Sequence, residues 1–382
     1  MYAAIVGWGK CLPAKVVTND DLAQIVETSD EWISKHTGIR ERRVVGPGET
    51  AVSMAAAAAR DALAVAKLQS SDLDLIIVST YSPDYHLPGA APILQAELGA
   101  THAAAFDLRA GCPGFLYALS VANQFIASGV YQRVLVVGTE VISQFLNWAD
   151  RRTCVLFGDG AGAVILEASE QPTGFLSFSL GTKGRDYDAL IYRAAGSRHP
   201  INAEPFAEDL RSLQMDGQRL LSFAVRSIGP AIREQLRANG LSVEDIALVI
   251  PQQSNLRFME WIAEQFGFPM EKIVVNVDKY ANTSSASVAI ALCEALEQKR
   301  IHQGDHVLLL SFGAGLNWAA SVLRYGCVER VPVSRVETVI PTWFSLHDLR
   351  QKLSLVRSVG ISTLNSARNL AMLPFLTRSK RR

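Results

Sequence analysis

The sequence predicts an α/β protein made of two similar halves. Three observations carry this expectation. Continuous apolar runs, Leu75-Ile76-Ile77-Val78 and Val134-Leu135-Val136-Val137, read as strands covered on both faces, the pattern of parallel sheets. These runs alternate with helical stretches, the order expected of an α/β fold. The order then repeats: the run at Leu75 returns as Ala247-Leu248-Val249-Ile250, 172 residues on, and the run at Val134 returns as Val307-Leu308-Leu309-Leu310, 173 residues on. That offset sets Cys112 against Ser285.

In chain order, residues 3–7 read as a first strand, and residues 18–25 as a helix begun by Asn19 and Asp20. Ser29 or Asp30 caps a second helix. An alanine-rich helix covers 51–67, a strand 74–79 and a helix 91–98. An apolar segment ends in Phe106-Asp107-Leu108, a helix runs over 115–128, and a strand over 133–138. Residues 153–165 read as a strand broken by Gly158-Asp159-Gly160-Ala161-Gly162. That run lacks the flanking elements of a dinucleotide or phosphate loop, so close backbone packing is the better account of it. Residues 171–215 are polar and irregular. Helices then fall at 220–239, 255–266 and 284–299, with strands at 246–250 and 306–311. The expected units are 1–172, 173–327 and an extension over 328–382.

Composition excludes several classes. The 382 residues are 49% hydrophobic and 19% charged, with a formal net charge of zero, so no global field recruits nucleic acid. Five cysteines (Cys11, Cys112, Cys154, Cys293, Cys327) are scattered, with neither metal-ligand spacing nor a disulfide framework. No metal or bound cofactor is expected. No apolar run is long enough to span a bilayer, and no basic segment precedes the first strand, so the expected location is the cytoplasm.

The chemistry centres on Arg109-Ala110-Gly111-Cys112-Pro113-Gly114-Phe115, where a strand turns into a helix. Unpaired backbone N–H groups and the positive end of the helix dipole favour thiolate over thiol there. Pro113 suits the first helical position, and Gly111 and Gly114 leave room beside the sulfur. Cys112 is the candidate nucleophile, and a small buried residue is the alternative.

Several separate motifs make the chain resemble the β-ketoacyl-acyl-carrier-protein synthase III family. Asp30-Glu31-Trp32-Ile33 with Thr37-Gly38-Ile39-Arg40-Glu41-Arg42-Arg43 is similar to its N-terminal signature, and Ala110-Gly111-Cys112-Pro113-Gly114-Phe115 to its nucleophile loop. Phe157-Gly158-Asp159-Gly160-Ala161-Gly162, Tyr280-Ala281-Asn282-Thr283-Ser284-Ser285 and Phe312-Gly313-Ala314-Gly315 resemble three further motifs. The resemblance covers residues 1–327. It implies a thiolase fold, with central sheets, mostly parallel, sandwiched by helices, and a homodimer. It implies that Cys112 accepts an acyl group from coenzyme A or a carrier protein, with the backbone N–H groups of Cys112 and Ala314 as oxyanion hole. Asn282 would hydrogen-bond the second thioester, Trp32 and Arg151 would bracket the adenine of coenzyme A, and Arg257 would lie on the carrier-protein surface.

One position departs from the family pattern. Pro251-Gln252-Gln253-Ser254-Asn255-Leu256-Arg257 falls where the family has Pro-His-Gln-Ala-Asn-Leu-Arg, so Gln252 replaces the catalytic histidine. A glutamine amide donates hydrogen bonds but does not take up a proton near pH 7. His86, in the loop Tyr85-His86-Leu87-Pro88, is a candidate accessory group. His36 also departs, since the family commonly has arginine there. Three functions follow. The enzyme condenses the Cys112 acyl group with a carrier- or coenzyme A-bound extender in fatty acid or polyketide synthesis. Alternatively it passes the acyl group to an alcohol, amine or thiol, or it is a non-catalytic partner subunit. The stretch 328–382 holds ten basic and three acidic residues. It reads as a helical pair packed on the body, with contact to a carrier protein or a membrane surface as the alternative.

Overall fold

The computed structural model describes residues 1–200 and 208–326. The 328–382 extension and Cys327 lie outside the described residues. Strand β1 (Tyr2–Cys11) leads to a small hairpin, β2 (Val16–Thr18) and β3 (Glu41–Arg43), with helices α1 (Asn19–Ala23) and α2 (Asp30–Thr37) between its strands. Then come α3 (Ala51–Ala66), β4 (Leu75–Ser79), α4 (Ala90–Leu98), β5 (Ala104–Leu108), α5 (Gly114–Ala127), β6 (Arg133–Glu140) and β7 (Gly160–Ser169). The second half holds β8 (Gly174–Thr182), a short pair β9 (Leu190–Ile191) and β10 (Gln214–Met215), and α6 (Gly217–Asn239). It continues with β11 (Ile246–Pro251), α7 (Leu256–Phe266), α8 (Val277–Tyr280), α9 (Ala286–Glu297), β12 (His306–Gly313) and β13 (Asn317–Arg324).

The repeat read from the sequence is a repeat of sheet order. The first sheet runs β1-β7-β6-β4-β5 and the second β8-β13-β12-β11. A parallel bridge from Val249 to Ile273 stands where β5 would lie. In each sheet the apolar central strands pair in parallel, and antiparallel strands are added outside them, so both sheets are mixed.

Alternation along each strand explains the layers. Leu75, Ile77, Val134 and Val136 join Leu248, Ile250, Val307 and Leu309 in one core. Helices α5 and α9 are buried in that core, between the two sheets. The other face of the first sheet, through Ile76, Val78, Leu135 and Val137, packs on the alanine-rich α3 and on α4. The other face of the second sheet, through Val249, Leu308 and Leu310, packs on α6 and α7. Strands covered on both faces have to be apolar at every position, which is why they carry no period-2 pattern.

Several expectations shift by a few residues. Thr18, not Asn19, caps α1, exchanging hydrogen bonds with Asp21 in a capping box. Ser29 caps α2. The broken strand at 153–165 is a turn followed by β7, which begins only at Gly160. The glycines there are set by packing: a Cβ on Gly158 would lie 2.5 Å from the Tyr280 carbonyl, and one on Gly162 2.6 Å from Ala289 Cβ. Strands β8 and β13 went unread, because both mix polar with apolar residues: β8 is partly exposed, and β13 carries Ser321 within its buried middle.

Candidate active site

Cys112 sits in the turn between β5 and α5, where the chain crosses from sheet to buried helix. Gly111 takes φ +70° there, and its missing side chain admits Ala314, whose carbonyl would lie 2.6 Å from a Cβ. Gly313 also adjoins the sulfur: a Cβ there would lie 2.7 Å from Cys112 Sγ. Gly111 thus lets Ala314 approach Cys112, as the sequence expects, while Gly114 admits Ser79.

Cys112 is 5% exposed and lines a cavity of about 340 Å³. The walls are largely apolar, with Leu220, Leu221 and Val225 from α6, Phe258 and Trp261 from α7, and Phe312 from β12. The backbone N–H groups of Cys112 and Ala314 favour the anionic sulfur. Burial outweighs them and pushes the thiol up to about 11. The pull toward thiolate expected at the helix start is present but outweighed. The helix start offers its N–H groups, but desolvation wins, and the resting group is a thiol.

Asn282 shares the cavity with Cys112. A parallel bridge to Phe157 fixes its backbone, with its N–H on the Leu156 carbonyl and its carbonyl accepting from Gly158. Its Oδ1 accepts from Ser284 N–H at 2.9 Å and from Gln252 Nε2 at 2.9 Å. The Asn282 NH₂ is left to face the cavity.

Gln252 is fully buried and does not line the cavity. Its Nε2 donates to Asn282 Oδ1 and to the Ser284 carbonyl at 3.0 Å, while its Oε1 accepts from Ser311 Oγ at 2.7 Å. The Ser284 carbonyl has no donor state, so the atom facing it has to be the amide nitrogen. Both of its protons are thereby engaged. Gln252 holds Asn282 and offers the cavity nothing of its own.

The remaining expected residues divide into two groups. Arg257, exposed, lies on the cavity rim at the start of α7, donating to the Lys35 carbonyl at 3.1 Å. Asn255 caps that helix and donates to the His36 carbonyl. Arg151 stands 4.8 Å over the Trp32 ring, and His36 stacks on that ring at 4.7 Å, so a purine entering between Trp32 and Arg151 has to lift the guanidinium away. Neither Trp32 nor Arg151 lines the Cys112 cavity, whereas His36 does. His86 is exposed on the loop before α4 and is not among the lining residues. Its candidacy as an accessory group gains nothing from this placement. Sequence reasoning missed Glu140 and Ser284. Glu140 is a carboxyl ending the apolar run of β6, which is the signal that would have found it. Among the described residues no cluster of His, Cys, Asp and Glu has the makings of a metal site, and no helix is long and apolar enough to cross a membrane.

A buried cysteine before a central helix, aimed with an asparagine amide into an apolar cavity between two repeated halves, defines a thioester-handling condensing enzyme of the thiolase fold. The family model described as 3-oxoacyl-[acyl-carrier-protein] synthase III matches residues 106–184, and its C-terminal counterpart matches 236–325. The chain is 48% identical over 324 residues to the β-ketoacyl-[acyl-carrier-protein] synthase III of Roseiflexus sp. (strain RS-1), covering 85% of this chain and 98% of that one. The Methylococcus capsulatus protein of the same name is 46% identical, covering 85% and 99%. The crystal structure of 3-oxoacyl-[acyl-carrier-protein] synthase III from Aquifex aeolicus superposes with a TM-score of 0.78 at 43% identity, over 85% of this chain and 100% of that one. The priming β-ketosynthase of the R1128 polyketide pathway gives 0.80 at 35%, over 85% and 96%. The chain belongs to the 3-oxoacyl-[acyl-carrier-protein] synthase III family. It is an acyltransferase, a condensing enzyme of fatty acid or polyketide biosynthesis.

Proposed function

We propose that Cys112 takes an acyl group from an acyl-coenzyme A or acyl-carrier-protein thioester and holds it as a thioester. The acyl group is then condensed with a malonyl-type extender. The observation that carries this reading is that Cys112 and Asn282 line one cavity, with the backbone N–H groups of Cys112 and Ala314 beside the sulfur. The N–H groups of Cys112 and Ala314 stabilise the oxyanion of acyl loading. The Asn282 NH₂ donates to the enolate oxygen formed as the extender loses carbon dioxide. Gln252 is a positioning residue that keeps the Asn282 oxygen turned away from the cavity. With one side-chain donor and no imidazole, loading is the better supported half-reaction, and condensation runs slower than with a positioned acid–base group, by about 10²–10⁴-fold.

In this reading Trp32, Arg151 and His36 receive the nucleotide end of coenzyme A, and Arg257 meets the acidic surface of a carrier protein. The working form is a homodimer, for which the open edge of the first sheet at β5 is the available seam. The test is intact-protein mass spectrometry with a panel of acyl donors, followed by malonyl-carrier protein. Acylation that is lost in Cys112→Ala, and discharged by malonyl-carrier protein with carbon dioxide release, is the expected result. An acyl group that persists until an alcohol, amine or thiol is supplied would make the protein an acyltransferase without carbon–carbon bond formation. No acylation from any donor would remove Cys112 as nucleophile.

A further inference from the structure

The proposed role of Asn282 needs its NH₂ turned to the cavity, and the turn that carries it is strained at both ends. Ala281 takes φ +53°, ψ −154°, and Ser284 takes φ +52°. Both are left-handed conformations, unfavourable for residues with a Cβ. A turn of this kind persists only where its surroundings over-determine it. Asn282 has its backbone tied to the Leu156 carbonyl and the Gly158 N–H. Its Oδ1 is held by Ser284 N–H and by Gln252 Nε2, each at 2.9 Å.

Ser284 is therefore one of the two main supports of the Asn282 side chain, and all its polar groups are engaged. Its N–H serves Asn282, and its carbonyl accepts from Gln252 Nε2 at 3.0 Å. Its hydroxyl donates its one proton to Glu140 Oε1 at 3.2 Å. The first two partners belong to the second half of the chain. The third reaches across into the first half.

Glu140 is fully buried at the carboxyl end of β6. Its Oε2 accepts from Ser82 Oγ at 2.7 Å, Tyr81 N–H at 3.1 Å and Thr80 Oγ1 at 3.4 Å, all in the turn after β4. Among the described residues no Lys, Arg or His forms an ion pair with it. A buried carboxyl without a cation is costly to keep. The donors on Oε2 lie in the same half and account for a carboxyl that pins the turn after β4. They do not account for Oε1, which faces the turn of the opposite half.

We infer that Glu140 is a positioning residue for the Asn282 amide, holding Ser284 in its left-handed conformation through the Ser284 hydroxyl. This rests on the reading of Asn282 as the donor to the second thioester. Relaxation of Ser284 to negative φ swings its N–H away from Asn282 Oδ1. The amide, freed on that side, can then rotate and turn its oxygen to the cavity. There an acceptor meets the developing enolate oxygen, itself an acceptor. Acyl loading draws on the Cys112 and Ala314 N–H groups and is spared. A broken link between Glu140 and Ser284 therefore slows condensation selectively.

The experiment compares kcat and KM for condensation with malonyl-carrier protein against the rate of Cys112 acylation, read by intact mass spectrometry on the full chain. Ser284→Ala and Glu140→Ala are each expected to lower kcat by about 10–100-fold. KM for malonyl-carrier protein stays unchanged, because the lost interaction matters only in the transition state. Acylation is unchanged in both. The double variant falls no further than Ser284→Ala, since the two residues act in series. Glu140→Gln rescues condensation: the donors in the turn after β4 take its carbonyl oxygen, and its NH₂ donates to Ser284 Oγ. Ser82→Ala breaks the 2.7 Å hydrogen bond on the other oxygen, so stability falls while condensation stays. Full condensation in Ser284→Ala overturns the inference, whether or not the Glu140 variants fold. Multiplied losses in the double variant overturn it too, as does a loss in Ser82→Ala equal to that in Glu140→Ala. Equal losses of acylation and condensation do the same. If instead Asn282→Ala condenses like wild type, or the wild type acylates without releasing carbon dioxide from malonyl-carrier protein, the reading of Asn282 falls and the inference with it.

Discussion

Gln252→Glu is the most direct test of how the site is held. The substitution keeps shape and volume but replaces a donor by an acceptor. One oxygen of the new carboxylate continues to accept from Ser311 Oγ. The other faces Asn282 Oδ1 and the Ser284 carbonyl, at the 2.9 and 3.0 Å now spanned by donated hydrogen bonds. Both facing atoms are acceptors, and Asn282 Oδ1 is pinned by the Ser284 N–H. Two buried hydrogen bonds are lost at about 1–3 kcal/mol each, so the variant is destabilised by about 2–6 kcal/mol at neutral pH. Protonation restores one donor. The folded state therefore holds a proton that the unfolded chain releases near pH 4.3. An acid whose pKa is raised by folding contributes stability at low pH and loses it as pH rises. Urea unfolding across pH 5–8 is expected to show a small deficit against wild type at pH 5, growing by about 1.4 kcal/mol per pH unit until the folded pKa is reached. Condensation falls about 10²-fold as Asn282 loosens, while Cys112 acylation changes less. A deficit that is absent, or flat with pH, would refute the orientation of the Gln252 amide and with it the positioning role.

Asn282→Ala is expected to lower condensation by about 10²–10³-fold and leave acylation of Cys112 within about tenfold, so that acyl-enzyme accumulates in intact mass spectra. Equal losses in both half-reactions would count against Asn282 as the donor to the second thioester. Gly313→Ala brings a methyl group to within 2.7 Å of Cys112 Sγ, and both acylation and alkylation should fall by at least about 10²-fold with little change in the far-UV spectrum. Arg151→Ala removes a cation–π contact worth about 0.5–1 kcal/mol, so KM for an acyl-coenzyme A donor should rise about two- to fivefold and that for an acyl-carrier-protein donor should not. Burial holds the Glu140 carboxyl above the usual range, so the folded wild type retains a proton that the unfolded chain has given up, and its stability drops as pH rises through that interval. Glu140→Gln has no such titration, and its stability relative to wild type should improve from pH 4 to pH 8; a constant difference would mean that the carboxyl titrates alike in both states.

By itself the sequence determined the layered α/β repeat, because strands covered on both faces have to be continuous apolar runs and the order of those runs returns after about 172 residues. It pointed to Cys112 through the glycine-flanked turn from strand to helix, and to Asn282 only through the resemblance of its motif to the family. It located Gln252 but not its role, which depends on where two amide protons point. The tertiary structure places Asn282 Oδ1 and the Ser284 carbonyl on one side of Gln252 and Ser311 on the other, which supports the proposed positioning role. The state of Cys112 likewise depends on tertiary structure, because the helix terminus is local and readable whereas burial involves cavity neighbours distant in sequence, such as Leu156, Asn282, Phe312 and Gly313. Glu140 and Ser284 are drawn from the end of β6 and the turn before α9, and only the packing of two buried helices between two sheets brings them together.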